Sequence, residues 1–186
     1  MADDMSEERM DRRIVSEAQP IPPLSVPTIL VEGFITGIIG AGVVAVWFLL
    51  LDTIQHVPLW TPSLLGTVLF KGTEAAAGHK VIDPGMVAAY TLVHHAAFIG
   101  VGLVASFLVS EIERIPPLGI ALVFFFVFFE TAFQIFLLAM GEPLLGGIAF
   151  WGVAVANLLA AAAMAAYLWY RHPRILTHFN RIWHEE

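Results

Sequence analysis

His94, His95, Glu130, Gln134 and Asn157 stand inside long apolar runs, and Tyr90 lies one helical turn ahead of His94. Imidazole nitrogen and carboxylate oxygen are ligands that a transition metal accepts, while the two amides and the phenol are weaker ligands or partners that orient the stronger ones. The same groups can instead satisfy one another and fix helix register through a shared hydrogen-bond network. Either chemistry requires that they meet at one depth. At ~1.5 Å per residue, His94 and His95 lie roughly 12–14 Å below one end of their run, Gln134 and Glu130 about 9 and 15 Å below the matching end of theirs, and Asn157 about 15 Å below its own. Glu130 and Gln134 are i and i+4, as are Tyr90 and His94, and Thr91 and His95, so each pair shares a helix face. Adjacent His94 and His95 diverge by ~100° and cannot both face one metal atom. A bis-histidine haem needs imidazoles on two helices, and only one run carries them, so the tetrapyrrole open to this chain is a five-coordinate one. The paired Glu-x-x-His motifs of four-helix di-metal carboxylate sites do not occur.

The runs that would hold these groups are Thr28–Leu51, Met86–Ser110, Leu118–Met140 and Gly147–Tyr170. Each reaches the roughly 20 residues that a helix needs to cross ~30 Å of hydrocarbon. With 58% hydrophobic residues in 186, the chain has too many such runs to bury in a soluble core of its size. The expected fold is all-α: an integral membrane antiparallel four-helix bundle with spans at about 28–51, 86–110, 118–140 and 147–170. Residues 1–27 form a charged tail containing prolines, and residues 171–186 an amphipathic segment in which Ile175, Leu176, Phe179, Ile182 and Trp183 recur beside Arg174 and Arg181. That segment suits a helix at an anionic membrane surface. The first run is too long for the apolar core of a signal peptide, so it is expected to remain in the mature protein.

Charge and composition narrow the function classes. Seven of the nine basic residues, Arg9, Arg12, Arg13, Arg114, Arg171, Arg174 and Arg181, fall on one side of a four-span arrangement, and Lys71 and Lys80 on the other. The positive-inside rule then makes both termini cytoplasmic. Trp47, Trp60, Trp151, Trp169 and Tyr170 sit near span ends, as an aromatic belt would. The absence of cysteine excludes disulfides, thiolate metal sites and a cysteine nucleophile. A net charge of −7 gives no basic surface for nucleic acid. No phosphate-binding loop, dinucleotide fingerprint, zincin motif or nucleophile elbow occurs.

Packing signals are plainer than catalytic ones. Gly33, Gly37, Ala41 and Ala45 recur every four residues on the first run, as do Gly152, Ala156 and Ala160 on the fourth, and such rows let neighbouring helices approach closely. The connection from Asp52 to Gly85 holds a predicted short helix with Thr61 as N-cap, Pro62 at N1, Gly72 past its end and an apolar face of Leu64, Leu65, Val68 and Leu69. Asp83-Pro84 reads as the start of the second span. Short links at Ile115-Pro116-Pro117 and Glu142-Pro143 imply antiparallel neighbours. Glu32, near the cytoplasmic end of its run, is expected to be exposed or to snorkel. His56, His79 and Asp83 on the connection are a lesser candidate metal set.

The stretch Trp47-Phe48-Leu49-Leu50-Leu51-Asp52, with Pro58-Leu59-Trp60-Thr61-Pro62-Ser63-Leu64-Leu65-Gly66, resembles a segment of small uncharacterised four-span bacterial integral membrane proteins. It covers under a fifth of the chain, and the resemblance implies a bacterial inner-membrane setting with no activity attached. The expected function is a non-enzymatic membrane subunit or scaffold that packs against lipids, other membrane proteins or itself. The alternative is an intramembrane metal- or cofactor-binding protein with a redox or transport role. In that alternative His94, His95 and Glu130 are ligands, Gln134, Asn157 and Tyr90 support them, and the bound group is a transition metal or a five-coordinate tetrapyrrole.

Overall fold

The computed structural model describes residues 25–78, 81–112 and 119–173, with residues 136–150 described by their backbone alone. The acidic tail, the Ile115-Pro116-Pro117 link and the C-terminal amphipathic segment from 174 onward lie outside the described residues. Regular structure among the described residues is wholly helical: α1 (Val26–Ile54), α2 (Trp60–Lys71), α3 (Thr73–Ala77), α4 (Pro84–Ile112) and α5 (Gly119–Arg171). Val26–Ile54, Pro84–Ile112 and Trp151–Arg171 are long and apolar enough to cross a membrane, and Gly119–Ile135 is apolar but shorter.

Although α5 is continuous over 53 residues, it cannot be straight. Asn157 Nδ2 lies 2.7 Å from Glu130 Oε2, whereas an unbent helix would hold those positions about 40 Å apart. Leu122 likewise packs on the cluster of Ala105, Val109 and Leu168. The chain therefore reverses between Ile135 and Trp151, the interval that contains Glu142-Pro143. Its two arms, Gly119–Ile135 and Trp151–Arg171, lie side by side and antiparallel.

The closest packing is between α1 and α4. A Cβ added to Gly33 would lie 2.6 Å from the Leu103 Cα, one on Gly37 would meet the Ile99 Cα and the Phe98 carbonyl, and one on Gly102 would press into the Gly33–Gly37 backbone. Only glycine permits this contact, which aligns residue 33 with 103 and 37 with 99 and makes the pair antiparallel. The small-residue row holds through Gly33, Gly37 and Ala41 but not through Ala45, which is exposed. Burial drifts instead to Gly40 and Val44, because a repeat of four residues slips around a helix of 3.6 per turn. On its other side α1 receives the second arm of α5: Ala41, Val44 and Phe98 cluster with Ala156, Ala160 and Met164. The Trp47 indole N–H donates to the Gly152 carbonyl at 3.0 Å.

The connection is anchored by two carboxylates. Asp52, in the last turn of α1 and only 3% exposed, accepts the Thr61 amide at 2.8 Å and the Thr61 hydroxyl at 2.6 Å. It thus caps α2 from a distance. The expected cap at Thr61 is corrected accordingly: α2 begins at Trp60, after Leu59 in the left-handed region at φ 68°. The inner face of α2 is Ser63, Leu64, Gly66, Thr67 and Val68, and Leu69, expected on that face, is exposed. Gly66 lies against the Met86 carbonyl, and the Ser63 hydroxyl accepts the Asp83 amide at 2.8 Å. Asp83 caps α4 as expected, taking the Gly85 and Met86 amides at 2.9 and 3.2 Å. The Lys71 ammonium at 3.1 Å, with those amides, holds its carboxyl below the usual value.

The helix contact gives a direct test. Gly37→Ala should destabilise the protein by about 1–3 kcal/mol through backbone overpacking. Gly42→Ala, where nothing lies within 4 Å of the added methyl, should be neutral or slightly stabilising because alanine is the better helix former. Equal unfolding midpoints for the two variants in detergent would show that the α1–α4 contact is not limiting.

Candidate functional site

Glu130 faces inward from the first arm of α5 and is fully engaged. Its Oε1 accepts the Gln134 amide NH2 at 2.9 Å, one turn along the same helix, and its Oε2 accepts the Asn157 NH2 at 2.7 Å from the opposite arm. The expected meeting of Glu130, Gln134 and Asn157 is thus observed, and it ties the two arms in register. The Gln134 carbonyl oxygen is buried without a partner among the described residues.

The histidines do not join this group. His94 Nε2 lies 3.3 Å from the Ala41 carbonyl, and since a carbonyl only accepts, Nε2 carries the proton and Nδ1 is left as an acceptor. The ring stacks on Tyr90 at 5.7 Å and 23° and meets Phe98 at 4.8 Å. His95 makes the opposite choice, donating from Nδ1 to the Thr91 carbonyl of its own helix at 2.8 Å. It lines a crevice with Val46, Leu49 and Val87. The ~100° divergence of neighbouring residues separates the two rings as expected. Among the described residues, no three His, Asp or Glu side chains are grouped to hold a metal.

Two cavities flank the polar cluster. One of about 200 Å3 is lined by Asp52, Gln55, Trp60, Thr61, Tyr90, His94 and Asn157, with Phe48, Phe98 and Phe133 among its apolar walls. It runs from the α1–α2 junction to the middle of the helices. A second, of about 280 Å3, is lined by Phe98, Glu130 and Asn157 at one end, by Ala161, Met164 and Ala165 along its side, and by Leu122 and Leu168. Phe98 and Asn157 line both. At about 200 Å3 the polar cavity is smaller than the ~300–1,000 Å3 typical of sites for drug-sized ligands.

A second buried charge cluster was not expected from the sequence. Glu32 is 3% exposed. Its Oε1 accepts Arg171 Nη2 at 3.0 Å and Nε at 3.1 Å, and its Oε2 accepts His172 Nε2 at 3.0 Å. The expectation of an exposed or snorkelling Glu32 is therefore corrected: a bidentate guanidinium and an imidazole from the end of α5 make burial affordable. The clue was available in part, since Glu32 and Arg171–His172 lie near the ends of the first and last apolar runs. Asp52 was missed for a similar reason, because its partner Thr61 belongs to another helix.

No protein-family model, curated protein or solved structure matches the chain.

Substitution of Glu130 tests the cluster. Since both carboxylate oxygens accept, Glu130→Gln would place an NH2 group against one of two donors and should cost about 1 kcal/mol, while Glu130→Leu, which strands both amides, should cost about 1–3 kcal/mol. Chemical unfolding in detergent would read the order. Unchanged stability in the leucine variant would remove the network from any structural role.

Proposed function

We propose that the chain is a four-span bundle of the bacterial inner membrane, with both termini cytoplasmic, acting as a non-enzymatic subunit that packs against another membrane protein. The contact of Glu32 with Arg171 and His172 puts the start of α1 and the end of α5 at one end of the molecule. This is the arrangement that the seven-to-two division of arginine and lysine asks for. The resemblance of the Trp47–Asp52 and Pro58–Gly66 stretches to small bacterial four-span proteins points the same way.

The observation that carries the subunit reading is the outer face of the first α5 arm. Val123, Phe124, Val127 and Phe128 are 62%, 68%, 52% and 74% exposed on one stripe. Aromatic residues are enriched where membrane helices and protein interfaces meet partners. Meanwhile the buried carboxylates Glu32 and Asp52 and the half-buried Glu130 are each held by side chains of the chain itself.

Two measurements test this. Single-cysteine variants, simple to make in a cysteine-free chain, should be labelled from outside the cell at Thr73 and from the cytoplasm only at Ser25; the reverse pattern would overturn the topology. A photo-crosslinking residue at Phe128 in native membranes should give one discrete protein adduct, and one at Leu92, which is 74% exposed on α4, should give lipid adducts alone. Lipid adducts alone at Phe128 as well would refute the subunit reading.

A further inference from the structure

We propose that the two cavities together form a binding site for a membrane lipid with a flat, hydroxyl-bearing ring as its head and a single apolar tail, the chemistry of a prenylated quinol. The ring would occupy the polar cavity and the tail the apolar one. Volume supports the division. An apolar cavity of ~150 Å3 admits benzene, so about 200 Å3 accepts a six-membered ring with substituents, and the 280 Å3 cavity adjoins it at Phe98 and Asn157, which line both.

The lining decides the head chemistry. Among the described residues no Lys or Arg lines the polar cavity, so none of them there neutralises a phosphate or carboxylate head. Its walls are aromatic, with Trp60, Tyr90 and Phe98 able to take a planar ring by stacking. The hydrogen-bonding groups favour a donor. His94 has committed its only N–H to Ala41 and Asn157 donates to Glu130, which leaves the His94 Nδ1, the Asn157 carbonyl and the Asp52 carboxylate as acceptors. A ligand hydroxyl can donate to these acceptors and still accept from the Tyr90 hydroxyl or the Gln55 amide, which also line the cavity, whereas a ring carbonyl can only accept. The tail cavity, walled by Phe125, Phe126, Phe129, Met164 and Leu168, offers an unbranched or prenyl chain only apolar contact.

The test uses the purified full chain in detergent and a decyl-tailed benzoquinol kept reduced. Among the described residues Trp60 is the one tryptophan lining the ring cavity, so binding should quench fluorescence saturably in the wild type and lose most of that signal in Trp60→Phe. The corresponding quinone should bind roughly tenfold more weakly, as expected for the loss of a hydrogen bond inside a buried site. His94→Phe should weaken the quinol by a similar factor while leaving the quinone's affinity unchanged. Ala165→Phe, which fills the tail cavity away from the ring, should weaken the decyl-tailed quinol but leave a tailless tetramethyl benzoquinol unaffected. Because that comparison is made within one variant, it stands even if His94→Phe does not fold. Several outcomes would overturn the proposal: no saturable quenching by the quinol, equal affinity for quinol and quinone, or equally tight binding of dodecanol, which has the tail and hydroxyl but no ring. An equal effect of Ala165→Phe on tailed and tailless ligands would overturn it too. None of these readouts depends on the crosslinking partner at Phe128, so the subunit reading and this site stand or fall separately.

Discussion

Backbone contact between α1 and α4 is the constraint from which the remaining arrangement follows. Between apolar helices in a lipid-like setting there is little hydrophobic drive to associate, and close van der Waals approach has to supply it. Gly33, Gly37 and Gly102 allow the two backbones to touch where any side chain would collide. That contact fixes both the antiparallel direction of the pair and its register. It also places the Ala41 carbonyl opposite His94, where it receives the imidazole N–H and sets the tautomer. The free Nδ1 of the polar cavity is thus a consequence of glycine packing two turns away.

Three carboxylates divide the structural work that apolar contact cannot do. Glu32 joins the start of α1 to the end of α5, Asp52 joins the end of α1 to α2, and Glu130 joins the two arms of α5. Each is a directional restraint at a different level of the molecule. Buried carboxylates without such partners would cost several kcal/mol, so their occupancy by guanidinium, hydroxyl and amide donors is what makes their positions tolerable. Among the described residues, Glu130 and Leu122 join the first α5 arm to the rest of the bundle. The apolar cavity lies between this arm, α4 and the second arm.

The helices themselves were legible in the sequence because apolar length is a local property. Val26–Ile54 and Pro84–Ile112 extend the runs read at 28–51 and 86–110 by a turn or less at each end, and Asp83-Pro84 starts its helix as its capping chemistry dictates. Local signals were weaker where the deciding partner is remote. Thr61 carries the hydrogen bonds expected of a helix start, but the carboxylate that receives them comes from Asp52, so the boundary moved to Trp60. The row at Gly33, Gly37 and Ala41 was readable as a repeat, yet Ala45 left it because helical periodicity drifts and only the partner helix decides which residues remain in contact.

By itself, the sequence determined that long apolar helices carry Glu130, Gln134 and Asn157 at a common depth, since rise per residue and i, i+4 spacing need no knowledge of neighbours. It also determined that His94 and His95 point apart. Only the tertiary structure decided that Glu130 binds the two amides and not the histidines, because that choice depends on which helix faces each side chain across the interior. Glu32 shows the same division. A carboxylate in an apolar run is visible to any reader of the chain, but whether it reaches water or is buried depends on Arg171 and His172, some 140 residues away, and no local pattern encodes that contact.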